Sequence, residues 1–223
     1  MRTHRGFIAF PVSGALLALL VLTLLVALPG CSQRQRGPAP LPEATIGVAA
    51  FTQPTAMADL LAGYIPEDQQ RVSQETFADL DRTFGDILRA ETKRVYSFAA
   101  TKPSLAPQAE GRTGGRPQAL AYWVEVGRKA EVDFLLVPQV VDMRERKGGD
   151  MGVTESASIM MDVFLIDVKG GTLVMRSNYD EKQMGLADNL LEVGKFVGRK
   201  GKWLSALDLA REGMRKAIKE FGL

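Results

Sequence analysis

Residues 159–179 read I-M-M-D-V-F-L-I-D-V-K-G-G-T-L-V-M-R-S-N-Y: an apolar, partly β-branched run, a Lys169-Gly170-Gly171 break, and a second apolar run. Runs of this kind bounded by glycine are strands, and the glycine pair supplies the backbone freedom of a tight reversal. A strand over about Thr154–Val168 and another over Thr172–Tyr179 should therefore form an antiparallel hairpin. Just upstream, Val132–Met143 (V-D-F-L-L-V-P-Q-V-V-D-M) is a further strand. Pro138 cannot donate to a ladder, which predicts an edge position or a bulge. The residues between these strands, R-E-R-K-G-G-D (144–150), read as a charged turn.

Towards the N-terminus, Thr45–Phe51 (T-I-G-V-A-A-F) is a short buried strand, and residues 52–72 are irregular, broken by Pro54, Gly63 and Pro66. Ser73 is a helix N-cap, followed by Phe77, Leu80, Phe84, Ile87 and Leu88 at helical spacing to about Arg94. Val95–Ala99 is a second strand. A Pro/Gly-rich loop over residues 100–117 leads to Pro117 at the first turn of another helix, whose Leu120, Trp123, Val124, Gly127 and Ala130 share one face. After a short helical piece at 188–193, a last helix starts at Ser205 with Leu207, Ala210, Met214, Ala217 and Phe221 on one stripe. The order β-α-β-α-β-β-β-α predicts an α/β fold: one mixed sheet, parallel where helices cross over and antiparallel in the meander, with helices packed on it.

The first 31 residues have a different character. Arg2, His4 and Arg5 form a basic start, and Gly14–Leu28 (G-A-L-L-A-L-L-V-L-T-L-L-V-A-L) is uncharged. Fifteen helical residues reach about 22 Å, short of the roughly 30 Å hydrocarbon core, which suits a signal-peptide core better than a membrane span. Leu28-Pro29-Gly30-Cys31 follows directly, and Cys31 is the chain's one cysteine. This segment resembles a bacterial lipobox. That resemblance implies cleavage between Gly30 and Cys31 and lipidation of Cys31, with Ser32 favouring the outer over the inner membrane. Residues 31–44 read as a flexible, proline-bearing tether, and 45–223 as a single periplasmic domain.

The 223 residues carry 28 Lys+Arg and 26 Asp+Glu. Two of the 28, Arg2 and Arg5, lie in residues 1–30, where there is no acid, so the remainder balances 26 to 26. A neutral balance gives no support for nucleic-acid binding. With His4 the only histidine, a Ser-His-Asp arrangement and histidine metal sites are excluded downstream of the leader, and a lipidated Cys31 removes thiol chemistry. No cofactor is expected, and no catalytic or metal-binding constellation is read. Asp79, Asp81 and Asp86 are expected on a helix's solvent face. Gly194–Trp203 (G-K-F-V-G-R-K-G-K-W) is not a Walker A loop, since Phe196 and Trp203 stand where Gly and Ser/Thr are needed. Its cations Lys195, Arg199, Lys200 and Lys202 read as a solvated loop or as a contact patch for anionic lipid or an acidic partner. The sequence leaves open any role of Asp180, Glu181 and Gln183 beyond capping and orienting the segment leading to the last helix.

The strand I-G-V-A-A-F, the stretch A-E-V-D-F-L-L-V-P-Q-V, the hairpin M-D-V-F-L-I-D-V-K-G-G-T-L-V and the end Y-D-E-K-Q-M-G-L-A-D-N-L-L…G-K-W-L-S-A-L-D-L-A-R-E-G-M together resemble bacterial lipoproteins with a TolB N-terminal-like, CsgG-like or LpoB-like periplasmic domain. The resemblance implies a non-enzymatic, lipid-anchored docking or scaffolding module for an envelope transport, secretion or wall-synthesis assembly, with a homo-oligomer open. It also raises two alternatives, a CsgG-like export-channel subunit and a periplasmic small-ligand or glycan sensor. Transmembrane barrel strands need about 9–11 alternating residues, and R-E-R-K-G-G-D-M-G is short and densely charged, which disfavours a channel.

Overall fold

The computed structural model describes residues 43–98, 116–149, 152–183 and 204–223. These belong to the second of two units into which the chain divides, Gly37–Leu223. Ten elements follow in order: β1 (Ile46–Val48), α1 (Gln74–Glu91), β2 (Tyr96–Phe98), α2 (Arg116–Lys129), β3 (Phe134–Arg144), β4 (Lys147–Gly149), β5 (Gly152–Glu155), β6 (Ser158–Asp167), β7 (Thr172–Lys182) and α3 (Ala206–Phe221). Five strands form one mixed sheet in the order β2-β1-β3-β6-β7. β1 runs parallel to β2 and β3, while β3–β6 and β6–β7 are antiparallel. The fold is therefore α/β, as the sequence pattern requires.

Strand alternation sorts side chains onto two faces. Ile46, Val48, Leu136, Val140, Ile159, Met161, Val163 and Leu165 meet the apolar faces of α1 and α3. Leu135, Val137, Phe164 and Ile166 meet Ala119, Trp123 and Val124 of α2 on the opposite side. All five apolar positions expected to bury on α1 do so. α3 starts with a reciprocal capping box between Ser205 and Asp208 and ends on Gly222 in the left-handed region (φ 68°). Gly127 allows α2 to lie close on the sheet, because a β-carbon there would stand 2.4 Å from Val168 Cγ2.

Three expectations are corrected. Pro138 lies on β3, the middle strand of the sheet, not on an edge. It is tolerated because β1 pairs only as far as Leu136 and the next contact is a bridge between Thr52 and Gln139, so its missing N–H faces the gap where the partner chain bows away. The irregularity in β3 falls two to three residues later, between Val140 and Asp142. Second, the run over 154–168 is not one strand. It breaks at Ser156-Ala157, and β5 pairs with β4 in a separate two-stranded ribbon built from the segment read as a turn. Third, Asp81 is not solvated: half-buried, it accepts the Phe51 N–H at 2.7 Å. Burial pushes its carboxyl above the usual carboxylate range, partly offset by that bond.

The chain enters the sheet at a tight clip. Thr45 N and Oγ1 both donate to Asp133 Oδ2, at 2.9 and 2.8 Å. Asp133 N returns a bond to Thr45 Oγ1 at 3.0 Å, and Phe134 N reaches Thr45 O at 3.1 Å. The bonds from Thr45 hold the Asp133 carboxyl below its ordinary value.

Candidate functional site

The second face of the sheet is apolar only under α2. Its other half is polar and lies under the irregular segment that follows β1. There the strands present Gln139 and Asp142 from β3, Asp162 from β6, and Arg176 and Asn178 from β7. Burying such groups is costly unless each finds partners, and here they do. Asp162, 2 % exposed, receives Arg176 Nε at 2.9 Å, Arg176 Nη2 at 3.1 Å and Asn178 Nδ2 at 3.0 Å. The Arg176 guanidinium also lies 5.9 Å from the Phe164 ring centre. Gln139 uses both ends of its amide on the covering segment: Nε2 donates to Asp59 O at 3.0 Å and Oε1 accepts Leu61 N at 3.4 Å. Gly63, at φ 87°, passes directly over the ion pair.

Where this polar half meets the ribbon, the surface opens into a cleft of about 890 Å³. Tyr64, Asp68, Asp142, Arg144, Glu155 and Asp180 are among its lining residues. Arg144 spans the cleft's edge, with Nε on Asp142 Oδ2 and Nη2 on Asp68 Oδ2, both at 2.7 Å. That bond and pairing with Arg144 keep the Asp68 carboxyl below its usual range. Gln69 and Gln70 add bonds to Val141 O (2.6 Å) and Asp142 Oδ1 (2.7 Å), so residues 68–70 are fastened to β3. Carboxylates outnumber cations along the walls, and Tyr64 offers an exposed ring.

A second, smaller cleft of about 460 Å³ lies between the starts of α1 and α3. The helix start there is already capped from within the chain, since Glu145 accepts the Ala206 N–H at 3.1 Å with one carboxylate oxygen and at 3.3 Å with the other.

The sequence-derived sites Gly30 and Cys31, and Lys195, Arg199, Lys200 and Lys202, lie outside the described residues, as do residues 100–115 of the Pro/Gly-rich loop and the helical piece at 188–193; residues 116 and 117, read as the end of that loop, belong to α2. Gln183, whose role the sequence left open, is described: its Oε1 accepts Leu204 N at 2.6 Å, one residue before the N-cap of α3. Glu181 lies on β7. The polar half-face was missed because its residues sit inside strands read only for their apolar content. The signal was present as single acids and an amide interrupting apolar runs: Gln139 in V-P-Q-V-V, Asp142 in V-V-D-M and Asp162 in M-M-D-V-F. Among the described residues no group of three or more His, Cys, Asp or Glu could hold a metal ion. None of the described helices is long and apolar enough to cross a membrane.

No family profile matches the chain, and no curated protein matches it. Solved structures similar to it include the PelC dodecamer from Paraburkholderia phytofirmans, 14% identical over 83% of this chain and 92% of that one, with a TM-score of 0.45. They also include lipoprotein GNA1162 from Neisseria meningitidis (12% identical, 71% and 98% covered, TM-score 0.33). A third is the LpoB C-terminal domain from Escherichia coli (11% identical, 65% and 88% covered, TM-score 0.34). At these identities no activity transfers. The narrower TolB N-terminal and CsgG likeness is carried by the sequence motifs alone.

Proposed function

We propose that this protein is a lipid-anchored envelope protein whose α/β domain docks other envelope proteins without catalysing a reaction. In this reading residues 1–30 are a signal peptide, 31–44 a lipidated tether and 45–223 the periplasmic domain, with the outer membrane as its site. The carrying observation is the uncharged run Gly14–Leu28 leading straight into Leu28-Pro29-Gly30-Cys31, with no other cysteine in the chain. Two or three acyl chains on one residue suffice for stable anchoring, whereas one gives only reversible binding.

The geometry supports docking over small-ligand capture. The larger cleft is open and charge-rich, and a ribbon stands beside it, features of a polar protein interface more than of an enclosed apolar pocket. The ribbon also argues against a channel subunit: β4 has three residues and β5 four, well below the 9–11 that a membrane-spanning barrel strand needs.

The test has two arms. Cys31→Ser should accumulate as unlipidated precursor; a mutant that matures and anchors normally sinks the lipobox reading. Crosslinkers placed at Thr154 and Asp180 in intact cells should recover a discrete envelope protein, and Asp180→Lys with Glu155→Lys should lower its yield several-fold. Recovery of no protein from either position would reject the docking role.

A further inference from the structure

β7 (Thr172–Lys182) is the last strand of the sheet, with β6 as its one neighbour among the described strands. At 11 residues it is a long edge, and Leu173 and Val174 leave large apolar side chains exposed on it. Which of its backbone groups face outward follows from two bonds. Gln183 N donates to Ala157 O at 3.0 Å, while Asn178 O accepts Lys216 Nζ of α3 at 2.7 Å. The β6–β7 register runs unbroken from Met175 to Lys182, and alternate residues of an antiparallel strand turn their N–H and C=O to opposite sides. The odd-numbered residues therefore bond β6. Arg176, Asn178, Asp180 and Lys182 present both groups to the outside, where Lys216 on Asn178 O is their one backbone partner among the described residues.

The side chains of these same residues stand on the polar half-face. Arg176 and Asn178 bind Asp162, and Asp180 and Lys182 line the larger cleft. Neither Asp180 nor Lys182 forms an ion pair among the described residues. A long edge with unpaired groups is a template for a further strand. Strand addition draws affinity from the main chain and selectivity from alternate side chains, and here alternate side chains of an added strand would fall beside the cleft.

A second copy is a poor occupant. Pairing about a two-fold near the middle of this edge brings like charges together: centred on Asn178 it sets the two Lys216 ammoniums at the axis, centred on Tyr179 it opposes Arg176 to Lys182, and centred on Asp180 it opposes that carboxylate to its copy. A foreign strand is under no such constraint. It can set a base against Asp180 and an acid against Lys182, and Lys216, displaced from Asn178 O, keeps Glu220 at 3.0 Å.

We infer that the edge of β7 from Arg176 to Lys182 takes an extended segment of another envelope protein as an added antiparallel strand, with a basic residue opposite Asp180 and an acidic one opposite Lys182. The inference rests on the docking role proposed above and states how the partner is held. Antiparallel pairing returns both bonds of each outward residue to a single partner residue, the more stable of the two ladders.

The experiment selects a phage-displayed library of random linear peptides on the full chain in detergent micelles. Recovered peptides should share an acid-x-base order, because an antiparallel strand meets Lys182 before Asp180, and should slow hydrogen exchange over residues 176–182. Lys182→Pro removes an outward N–H and spares the β6 ladder, so it should weaken these peptides by about tenfold with circular dichroism unchanged. The swap D180K/K182D, which disturbs no described ion pair, should select the inverse base-x-acid order. No enriched peptide, no shared order, or binding indifferent to Lys182→Pro would overturn the added strand. Exchange at these amides that slows with protein concentration alone would give the edge to a second copy and overturn it as well. In intact cells the crosslink from Thr154 separates this inference from the docking role. A partner captured equally by Lys182→Pro keeps docking and rejects the strand, whereas no partner from the parent rejects docking while proline-sensitive peptides still uphold the edge.

Discussion

Two carboxylates show how differently burial can be resolved at single residues. Asp162 is almost fully enclosed and satisfied by Arg176 and Asn178, whereas Asp81 is half-buried with one backbone donor. Breaking a buried ion pair strands its partner, so Arg176→Ala should cost about 2 kcal/mol, less than a fully enclosed pair because the arginine is partly solvated. Urea unfolding would read it; a loss below about 0.5 kcal/mol would show that Asp162 rehydrates. Asp81 has the opposite sign. Its raised pKa means the ionised form is disfavoured in the fold, while an asparagine keeps the oxygen that accepts Phe51 N. Asp81→Asn should therefore hold or slightly raise the urea midpoint at pH 7, and a clear drop would refute this. Asp81 was misassigned from sequence because helical periodicity gives the face of a residue but not the loop that will later cover it.

At the scale of elements, the helices were legible because apolar spacing and caps are local, and α1 and α3 bury the faces their patterns define. The place of Pro138 was not, since it depends on where a distant partner strand stops, and the ribbon was not, since its short, charged, glycine-bearing strands carry no apolar alternation. Close packing of elements yields two predictions. Gly127→Ala drives a methyl into Val168, and overpacking of this kind costs about 1–3 kcal/mol; adding Val168→Ala should return part of it in the same urea experiment. The long outer strand β7 is guarded by α3: Lys216 Nζ reaches the Asn178 carbonyl at 2.7 Å. Exposed edge groups are templates for pairing, so Lys216→Ala should raise concentration-dependent self-association in sedimentation velocity. Unchanged sedimentation across a hundredfold concentration range would assign that lysine no guarding role.

For the whole molecule, the pH response follows from how α3 is held. Burial alone would raise Glu220 and Asp208, but the Ser177 hydroxyl and Lys216 hold Glu220 below its usual value, and Ser205 with Arg211 does the same for Asp208. Carboxylates depressed in the fold stabilise it above their unfolded values, and that contribution disappears as pH falls through the depressed ones. Stability should thus decline below about pH 4, and Glu220→Gln should flatten the decline in urea midpoints measured from pH 6 to pH 3. A variant with the same slope as the parent would place the acid sensitivity elsewhere. The global arrangement of strands and helices was readable from the order of elements, but the polar half-face was not. It assembles Gln139, Asp162 and Arg176 from three strands, and no window of sequence contains it.

The clip at Thr45 bears on how the domain would carry load if residues 31–44 are the tether proposed above. A pull arriving through residues 31–44 would act along the axis of β1, whose ladders to β2 and β3 are both parallel, so their bonds would be loaded side by side in shear instead of being unzipped singly. Thr45 and Asp133 pass that load straight to the middle strand of the sheet.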